Sequence, residues 1–249
     1  MKTLKVLLTA ALSFFMVFNA AAQVKKAPVK KKPVVTKQVV TKRTTAVKPV
    51  VPKKIPGIRI KLTTDSGVMV IRLYDSTPLH RDNFVKLVEA HFYDSLLFHR
   101  VINGFMIQGG DPLSKNAEPG TMLGNGGGDM ERIPAEFRTS LFHKKGVLAA
   151  ARDNNPEKAS SACQFYIAQG KKYSDEELNM MEAQMGRKLS LAQRKAYKTI
   201  GGIPFLDMNY TVFGEVESGI EVIDKIASVP TAPGDRPIGD VRMKMEVLK

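Results

Sequence analysis

The sequence contains a single cysteine, Cys163, and no apolar run long enough to span a bilayer. One cysteine excludes an intramolecular disulfide, and nothing near Cys163 resembles an activating base, so we expect a buried thiol. The longest apolar run, Val6 to Phe18, has about 13 residues, whereas a transmembrane helix needs roughly 20. These absences indicate a domain that folds without disulfides or membrane spans.

Motifs for metal, nucleotide and nucleophilic chemistry are also absent. The four histidines, His80, His91, His99 and His143, do not have the spacing of a zinc site. The sequence has neither a GxSxG nucleophile motif nor a phosphate-binding GxxxxGK[ST] motif. The glycine run at 124–128 lacks the strand-turn-helix context of a dinucleotide site, which favours a tight turn. We therefore expect no metal and no cofactor.

Acidic residues are absent from the first 56 positions, which hold 13 of the 38 Lys and Arg residues. The rest of the sequence has 25 bases against 24 acids, so the net charge of +14 comes almost entirely from the N-terminal segment. A basic charge spread over the folded part would suggest nucleic acid. Its confinement to one end leads us to expect no specific nucleic-acid partner.

The N-terminus has the pattern of an export signal. Lys2 and Lys5 precede the apolar run, and small residues follow it up to Ala22. We expect residues 1–22 to be a signal peptide cleaved after Ala22, with the mature protein periplasmic or secreted. The alternative is an uncleaved membrane anchor, for which the apolar run is short.

Residues 23–57 repeat Lys, Pro, Val and Thr without an aromatic residue or a helical period. This composition is typical of a disordered, self-repelling linker. We favour the interpretation that this segment is a solvated spacer with no binding function. The functional alternative is adhesion to an anionic surface such as a membrane or an acidic polymer.

From residue 58 onward, the periodicity of the sequence is typical of a mainly β domain. IRIKLTT and VMVIRLY flank Asp65-Ser66-Gly67 and predict a hairpin. Thr77 and Pro78 predict the start of a helix that ends near Ala90. The apolar face of this helix would be formed by Phe84, Leu87 and Val88. A second helix is predicted after Ser218, with Ile220, Ile223 and Ile226 or Ala227 facing inward. A last strand is predicted where Val241, Met243, Met245 and Val247 alternate with polar residues. Many strands with two framing helices suggest a closed barrel or a sandwich.

The segment 174–200 departs from this β pattern. Ser174 with Glu177 and Ser190 with Gln193 are two capping boxes, and Gly186 is a plausible stop between them, with Gly201 at the end. These signals predict a helical hairpin inserted between two strands. It is a partner-binding or specificity element, or structural decoration.

One arginine lies inside an apolar run, FHRVINGFMIQGGDP, at residues 98–112. If the run is a strand, Arg100 shares a face with Phe98. From spacing alone, an exposed strand arginine paired with an acid is favoured over a catalytic group.

The sequence resembles the cyclophilin family of peptidyl-prolyl cis-trans isomerases from about Ile58 to Lys249. The resemblance is carried by FHRVINGFMIQGGDP, GNGGG (124–128), IPAEF (133–137), GVLAAAR (146–152), SSACQFYI (160–167) and FLDMNYTVFGEV (205–216). It implies a cyclophilin-like domain over 58–249: a closed eight-stranded antiparallel β-barrel capped by two α-helices, with a groove on its outer surface. The helical hairpin near 174–200 is then an insertion.

The resemblance also implies a role for each site residue. Arg100 would be the catalytic group, and Gln108 would hydrogen-bond the substrate backbone. The residues implied to contact substrate are Phe98, His99, Phe105, Met106, Gln108, Ala151, Gln164, Tyr166, Phe205, Leu206 and Tyr210. Among them Phe105, Met106, Tyr166 and Leu206 would enclose the proline ring, and His99 would support Arg100.

The sequence departs from the eukaryotic pattern of the family at three of these positions and at Arg152. Phe205 replaces a tryptophan, Tyr166 a phenylalanine and Tyr210 a histidine, and Arg152 stands where asparagine is usual. The aromatic surface is kept, as in bacterial members. The change at Phe205 puts the binding of the inhibitor cyclosporin in doubt.

These features predict an exported enzyme that accelerates X-Pro isomerisation and assists the folding of other exported proteins. Its partners would be proline-containing, unfolded polypeptides, and we expect a monomer. Two other hypotheses stay open. In one, the groove belongs to a peptide-binding chaperone in which turnover is incidental. In the other, the basic segment is the functional element.

Overall fold

A computed structural model describes residues 57–248. The predicted signal peptide at 1–22 and all but the last residue of the predicted linker at 23–57 lie outside the described residues, so both stay predictions. Within the described range, no helix has the length and hydrophobicity needed to cross a membrane.

The described chain contains strands, four α-helices and two short 3-10 helices. The strands are β1 Arg59–Thr64, β2 Gly67–Leu73, β3 Arg100–Ile102, β4 Met106–Gly109, β5 Val147–Ala150, β6 Phe165–Ala168, β7 Val212–Ser218 and β8 Met243–Leu248. The α-helices are α1 Pro78–Glu89, α2 Asp175–Met185, α3 Leu191–Thr199 and α4 Glu221–Ala227, and the 3-10 helices are Pro112–Ser114 and Pro204–Leu206.

The strands form one antiparallel eight-stranded sheet in the order β3-β4-β6-β5-β7-β2-β1-β8, curved as a half-barrel. The mainly β class is confirmed, but the prediction of a closed barrel is wrong, because β3 and β8 are the two edges of an open sheet. The edges meet through the residues that precede them: Leu97 forms an isolated bridge with Arg242, and the Phe98 N–H donates to the Val241 carbonyl. Met243, the first residue of β8, shares backbone hydrogen bonds with Ser95 and Leu96 at the end of a turn. In this antiparallel register β8 runs away from β3, so the two edge strands do not pair.

The main core lies on the concave face of the sheet, beneath helices α1 and α4. In the last strand Met243 and Met245 are buried and alternate with exposed residues, as predicted. Cys163 is also in this core at 1% exposure, and burial raises the pKa of its thiol. The prediction of a buried thiol is confirmed by its position.

Helix α1 begins at Pro78 and ends one residue before Ala90, as predicted, with Phe84, Leu87 and Val88 buried. Thr77 occupies the N-cap position, but its hydroxyl donates to the Tyr74 carbonyl. The N–H groups of Leu79 and His80 instead donate to the Glu136 carboxylate, at 3.2 and 3.0 Å. A residue from the IPAEF motif therefore caps the helix across the fold, a contact that local sequence cannot reveal.

Helix α4 buries Ile223, Ile226 and Ala227, as the spacing predicts. Ile220 was expected to face inward and does not, because it lies at the N-cap position, before the helix begins, with 40% of its surface exposed. Val222 takes the inward position instead.

The helical hairpin is present where the capping boxes predict it. Both boxes form: Ser174 accepts from the Glu177 N–H, and Ser190 accepts from the Gln193 N–H. Gly186 ends α2 in the left-handed conformation at φ 64°, which a residue with a Cβ adopts at a cost. The hairpin α2–α3 lies between β6 and β7 in the chain.

Candidate active site

The strands β4, β5 and β6 bury side chains on both faces of the sheet. Ile107, Leu148 and Ile167 point into the main core, while Met106 and Ala149 pack in a second apolar cluster on the other face. Because side chains alternate along a strand, residues of one parity supply the core and those of the other supply this outer cluster. The outer cluster forms the floor of a groove.

A row of residues crosses the sheet on the outer face. In the strand register Arg100 pairs with Gln108, Gln108 pairs with Tyr166, and Tyr166 pairs with Ala149. Neighbouring strands lie about 4.8 Å apart, so these side chains stand next to one another. Strand pairing thus brings together Arg100, Gln108, Tyr166 and Ala149, which lie on four different strands.

A cavity of about 290 Å³ opens on this row. It is lined by His99, Arg100, Phe105, Met106, Gln108, Leu123, Gly124, Asn125, Ala151, Arg152, Tyr166, Leu206, Tyr210 and Gly234. The lining therefore combines two arginines and a glutamine with seven aromatic or aliphatic side chains. Its volume suits a group the size of a proline ring with its flanking amides.

Hydrogen bonds fix the polar side of the cavity. Arg100 Nη1 donates to Gln108 Oε1 at 3.4 Å, and Gln108 Nε2 donates to Gln164 Oε1 at 3.1 Å. Gln164 Nε2 in turn donates to the carbonyls of Gly124 and Gly126, both at 2.9 Å. The chain of bonds ties the arginine to the glycine run, which forms a turn as predicted.

The apolar side of the cavity is built from aromatic rings. Tyr166 and Tyr210 meet edge to face at 5.8 Å, and Phe105 stacks on Phe205 at 5.9 Å. The Tyr166 hydroxyl bonds to His143 Nε2 at 2.9 Å, and burial raises the pKa of Tyr166 well above its usual value. The ring is therefore neutral and held in one orientation, as the wall of a shape-specific pocket requires.

The sequence of this domain matches a known protein family. Residues 59–247 match the model of the cyclophilin type peptidyl-prolyl cis-trans isomerase/CLD family. The chain belongs to the cyclophilin family. It is a peptidyl-prolyl cis-trans isomerase, as the resemblance of its motifs implied.

Relatives of this cyclophilin occur in Gram-positive bacteria. A Staphylococcus haemolyticus protein named as a peptidyl-prolyl cis-trans isomerase is 33% identical over 185 residues, covering 74% of this chain and 87% of that protein. A Streptococcus pyogenes protein named as a bifunctional phosphatase and isomerase is 35% identical over 190 residues, covering 74% of this chain and 37% of that protein.

Solved structures share the fold of this cyclophilin. A cyclophilin type isomerase from Cryptosporidium parvum superposes with a TM-score of 0.58 at 22% identity, covering 78% of this chain and 99% of that one. A second structure of the same protein, determined in the presence of the dipeptide Ala-Pro, gives 0.55 at 21% identity, covering 77% and 99%.

Most of the predicted site residues lie together in the cyclophilin. Those lining the cavity are Arg100, His99, Phe105, Met106, Gln108, Ala151, Tyr166, Leu206 and Tyr210. Phe205 is at the rim, stacked on Phe105, and Gln164 lines an adjoining cavity of about 370 Å³. The two cavities share Gln108 and Ala151, so the groove continues past the pocket.

Phe98 does not lie in the groove. It is fully buried in the main core, where its ring meets that of Phe165 edge to face at 6.2 Å. The expectation that Phe98 and Arg100 share a face is wrong, because residues 98 and 99 precede β3 and do not follow its alternation.

His99 is 2% exposed, and neither ring nitrogen has a hydrogen-bond partner among the described residues. The pKa of His99 is lowered to about 4, chiefly by burial; the Asp111 charge opposes this effect, and the charges of Arg100 and Arg236 add to it. A neutral imidazole beside Arg100 adds no competing positive charge at neutral pH.

Two charged residues at the site, Arg152 and Asp235, were not among the predicted site residues. Arg152 places its guanidinium carbon 4.7 Å from the centroid of the Tyr210 ring, and its Nε donates to the Asn209 carbonyl at 2.9 Å. Asp235 lies beside Arg100 although 135 positions separate them. For Arg152 the departure from the family pattern was a signal, whereas Asp235 becomes visible only through the fold. Across residues 57–248, no cluster of His, Cys, Asp and Glu is arranged to hold a metal.

Proposed function

We propose that this isomerase stabilises the twisted X-Pro amide through Arg100 and acts on exported polypeptides. The observation that carries the proposal is the row of Arg100, Gln108 and Tyr166, which sets a guanidinium beside an aromatic pocket. The proline ring would occupy that pocket, among Phe105, Met106, Tyr166 and Leu206.

The chemistry follows from the electronic structure of the amide. An X-Pro bond rotates over a barrier of roughly 18 to 20 kcal/mol because its C–N bond has partial double-bond character. On twisting, the proline nitrogen becomes pyramidal and gains lone-pair density, which a guanidinium N–H can donate to. The planar ground state offers little density there, so the bond forms chiefly in the transition state. Each tenfold gain in rate needs about 1.4 kcal/mol, so no covalent step is required.

Different groove residues would serve substrate binding and catalysis. Gln108, held by Gln164, would bond the substrate backbone next to the proline. Arginine suits the catalytic position because it stays protonated and holds its donors in a plane. Gln108 and Asp235 approach two different nitrogens of the Arg100 guanidinium, which limits its rotation.

We test the mechanism by cis-to-trans exchange of a short X-Pro peptide in NMR. Arg100→Ala should lose on the order of 100-fold in kcat/KM, as removal of a transition-state donor does. Arg81→Ala is the matched control, since it removes a guanidinium on helix α1 that pairs with Asp75 and Asp82 and does not line the cavity. Equal activity in the two variants would remove Arg100 from the mechanism.

A second function, binding of unfolded chains as a chaperone, is favoured by the length of the groove. The adjoining cavity of about 370 Å³ extends it toward Arg132 and Asp153, so a peptide longer than a dipeptide fits. The same NMR experiment separates the two: line broadening of a peptide without faster exchange supports binding alone.

The proposed location is the periplasm, or the exterior after secretion, on the pattern of residues 1–22. Sequencing the N-terminus of the protein recovered from periplasm should give Gln23 as the first residue. The segment 23–57 would act as a spacer, with adhesion to an anionic surface as its alternative. Deleting 23–57 should leave isomerase activity intact, and a loss of sedimentation with anionic vesicles would support adhesion.

A further inference from the structure

The helical hairpin α2–α3 packs against a segment that supplies the pocket. This segment, residues 203–210, is named the pocket loop. It contributes Leu206 and Tyr210 to the cavity and Phe205 to its rim. The loop includes a single turn of 3-10 helix, so it has little regular structure of its own to hold these side chains.

Three side chains of the hairpin bond to the pocket loop. Arg187 Nη2 donates to the carbonyls of Pro204 and Asp207, at 3.1 and 3.3 Å. Gln193 Nε2 and the Tyr197 hydroxyl both donate to Asp207 Oδ2, at 3.0 and 2.7 Å. Asp207 is 2% exposed and Tyr197 is fully buried, so the bonds of Gln193 and Tyr197 to the Asp207 carboxylate are shielded from water.

The other oxygen of Asp207 connects to the floor of the pocket. Oδ1 lies 2.7 Å from the His143 backbone nitrogen and 2.9 Å from His143 Nδ1. On the far side of the ring, Nε2 lies 2.9 Å from the Tyr166 hydroxyl. When Nδ1–H donates to Asp207, Nε2 accepts from Tyr166, so each group in the chain has a matching partner.

We infer that the hairpin α2–α3 is a positioning element for the proline pocket, acting through Arg187, Gln193 and Tyr197 on the pocket loop. The inference rests on the proposed role of the pocket in binding proline. The loop residues contact the proline ring in the planar and twisted states alike, so their placement governs binding of both equally. Loosening the loop therefore raises KM and leaves kcat nearly unchanged.

The hairpin also has an internal set of contacts that do not involve the pocket loop. Arg194 donates to Asp175 Oδ1 at 2.7 Å and to Glu182 Oε1 at 3.0 Å, which joins α2 to α3. Removing Arg194 perturbs the hairpin without touching the loop. Arg187 and Arg194 thus form a matched pair of arginines in one element.

The experiment compares Arg187→Met with Arg194→Met in the full-length protein, by peptide exchange kinetics in NMR. We expect Arg187→Met to raise KM for a proline tetrapeptide about threefold to tenfold while kcat changes less than twofold. Arg194→Met should leave KM within about 1.5-fold even where it lowers the melting temperature. Arg187→Lys, which keeps one donor, should recover part of the loss.

A second readout does not depend on isomerase activity. The N–H groups of Leu206, Asp207 and Asn209 are bonded within the pocket loop, so their hydrogen exchange reports its opening. Exchange should accelerate in Arg187→Met and in Tyr197→Phe but not in Arg194→Met. If the wild type lacked activity, the proposed function would fail while this exchange difference still held.

Equal KM values and equal loop exchange in Arg187→Met and Arg194→Met would overturn the inference and leave the hairpin as structural decoration. A fall in kcat with unchanged KM would also overturn it, since the loop would then act in the transition state.

Discussion

Nε of Arg100 lies 3.4 Å from Oδ2 of Asp235, and the backbone of Asp235 is bonded to the strand that carries the arginine. The N–H of Val101, next to Arg100, donates to the Asp235 carbonyl at 2.8 Å. Asp235 has φ 63° in a turn closed by the Ala232 N–H and the Arg236 carbonyl. The acid is thus fixed to β3 by its main chain while its side chain orients the guanidinium.

Asp235→Asn should lower kcat/KM by about twofold to fivefold, because both partners are partly exposed and such pairs contribute about 1 kcal/mol or less. The measurement is peptide exchange at low and high salt. Salt should slow the wild type toward the rate of the variant and leave Asp235→Asn nearly unaffected. The same salt response in both proteins would show that the pair does not hold Arg100 in place.

Tyr166→Phe should destabilise the domain by about 1 to 3 kcal/mol, since it leaves the buried Nε2 of His143 without its donor. The ring remains, so kcat/KM should stay within about threefold of the wild type. Denaturant unfolding measures the first effect. Tyr173→Phe is the control, because the Tyr173 hydroxyl makes no hydrogen bond to another described residue, and its stability should not change. Equal stability of both variants would argue against the His143 bond.

Features encoded by neighbouring residues could be predicted from the sequence. The hairpin α2–α3 could be predicted because each capping box joins two residues three positions apart, Ser174 with Glu177 and Ser190 with Gln193. The groove residues were found through motifs, and strand pairing then explained why residues as distant as 100 and 166 meet.

Features set by contacts between distant segments could not be predicted. The sheet stays open because β8 begins opposite Ser95 and Leu96 and runs away from β3, and this register depends on segments far apart in the sequence. Phe98 faces the core because the chain becomes regular only at Arg100. Glu136 caps α1 from 56 positions away, and no local pattern marks that contact.

The glycine run beside the groove allows a matched pair of substitutions. A side chain at Gly126 would collide with the Asp111 carboxylate, whereas a Cβ at Gly128 would meet no atom within 4 Å. Gly126→Ala should therefore shift the turn that Gln164 bonds to, and lower stability by about 1 to 3 kcal/mol together with kcat/KM. Gly128→Ala should be neutral or stabilise by less than about 1 kcal/mol. Unfolding and kinetics of the two variants test this, and equal behaviour would contradict it.

Buried His99 should make the stability of the domain depend on pH. Its folded pKa of about 4 lies below the ordinary value of 6.5, so between these pH values the unfolded chain binds a proton that the folded one does not. The free energy of unfolding should thus fall as pH drops from 6.5 to 4, by at most about 3 kcal/mol from this residue. Burial also lowers the pKa of His80, so protonation of His80 should further lower the free energy of unfolding as the pH falls.

Denaturant unfolding at pH 7, 5.5 and 4 measures this dependence in the wild type, His99→Gln and His91→Gln. His99→Gln should flatten part of the slope. The remainder includes the contribution of His80 and, near pH 4, that of carboxylates such as Glu182, whose pKa is lowered to about 2 by its bonds to Lys188, Leu189 and Arg194. His91→Gln should keep the full slope, because the His91 side chain is 72% exposed. An NMR titration that placed the pKa of His99 near 6.5 would contradict the prediction, since the imidazole would then be hydrated and would add a charge beside Arg100 in mild acid.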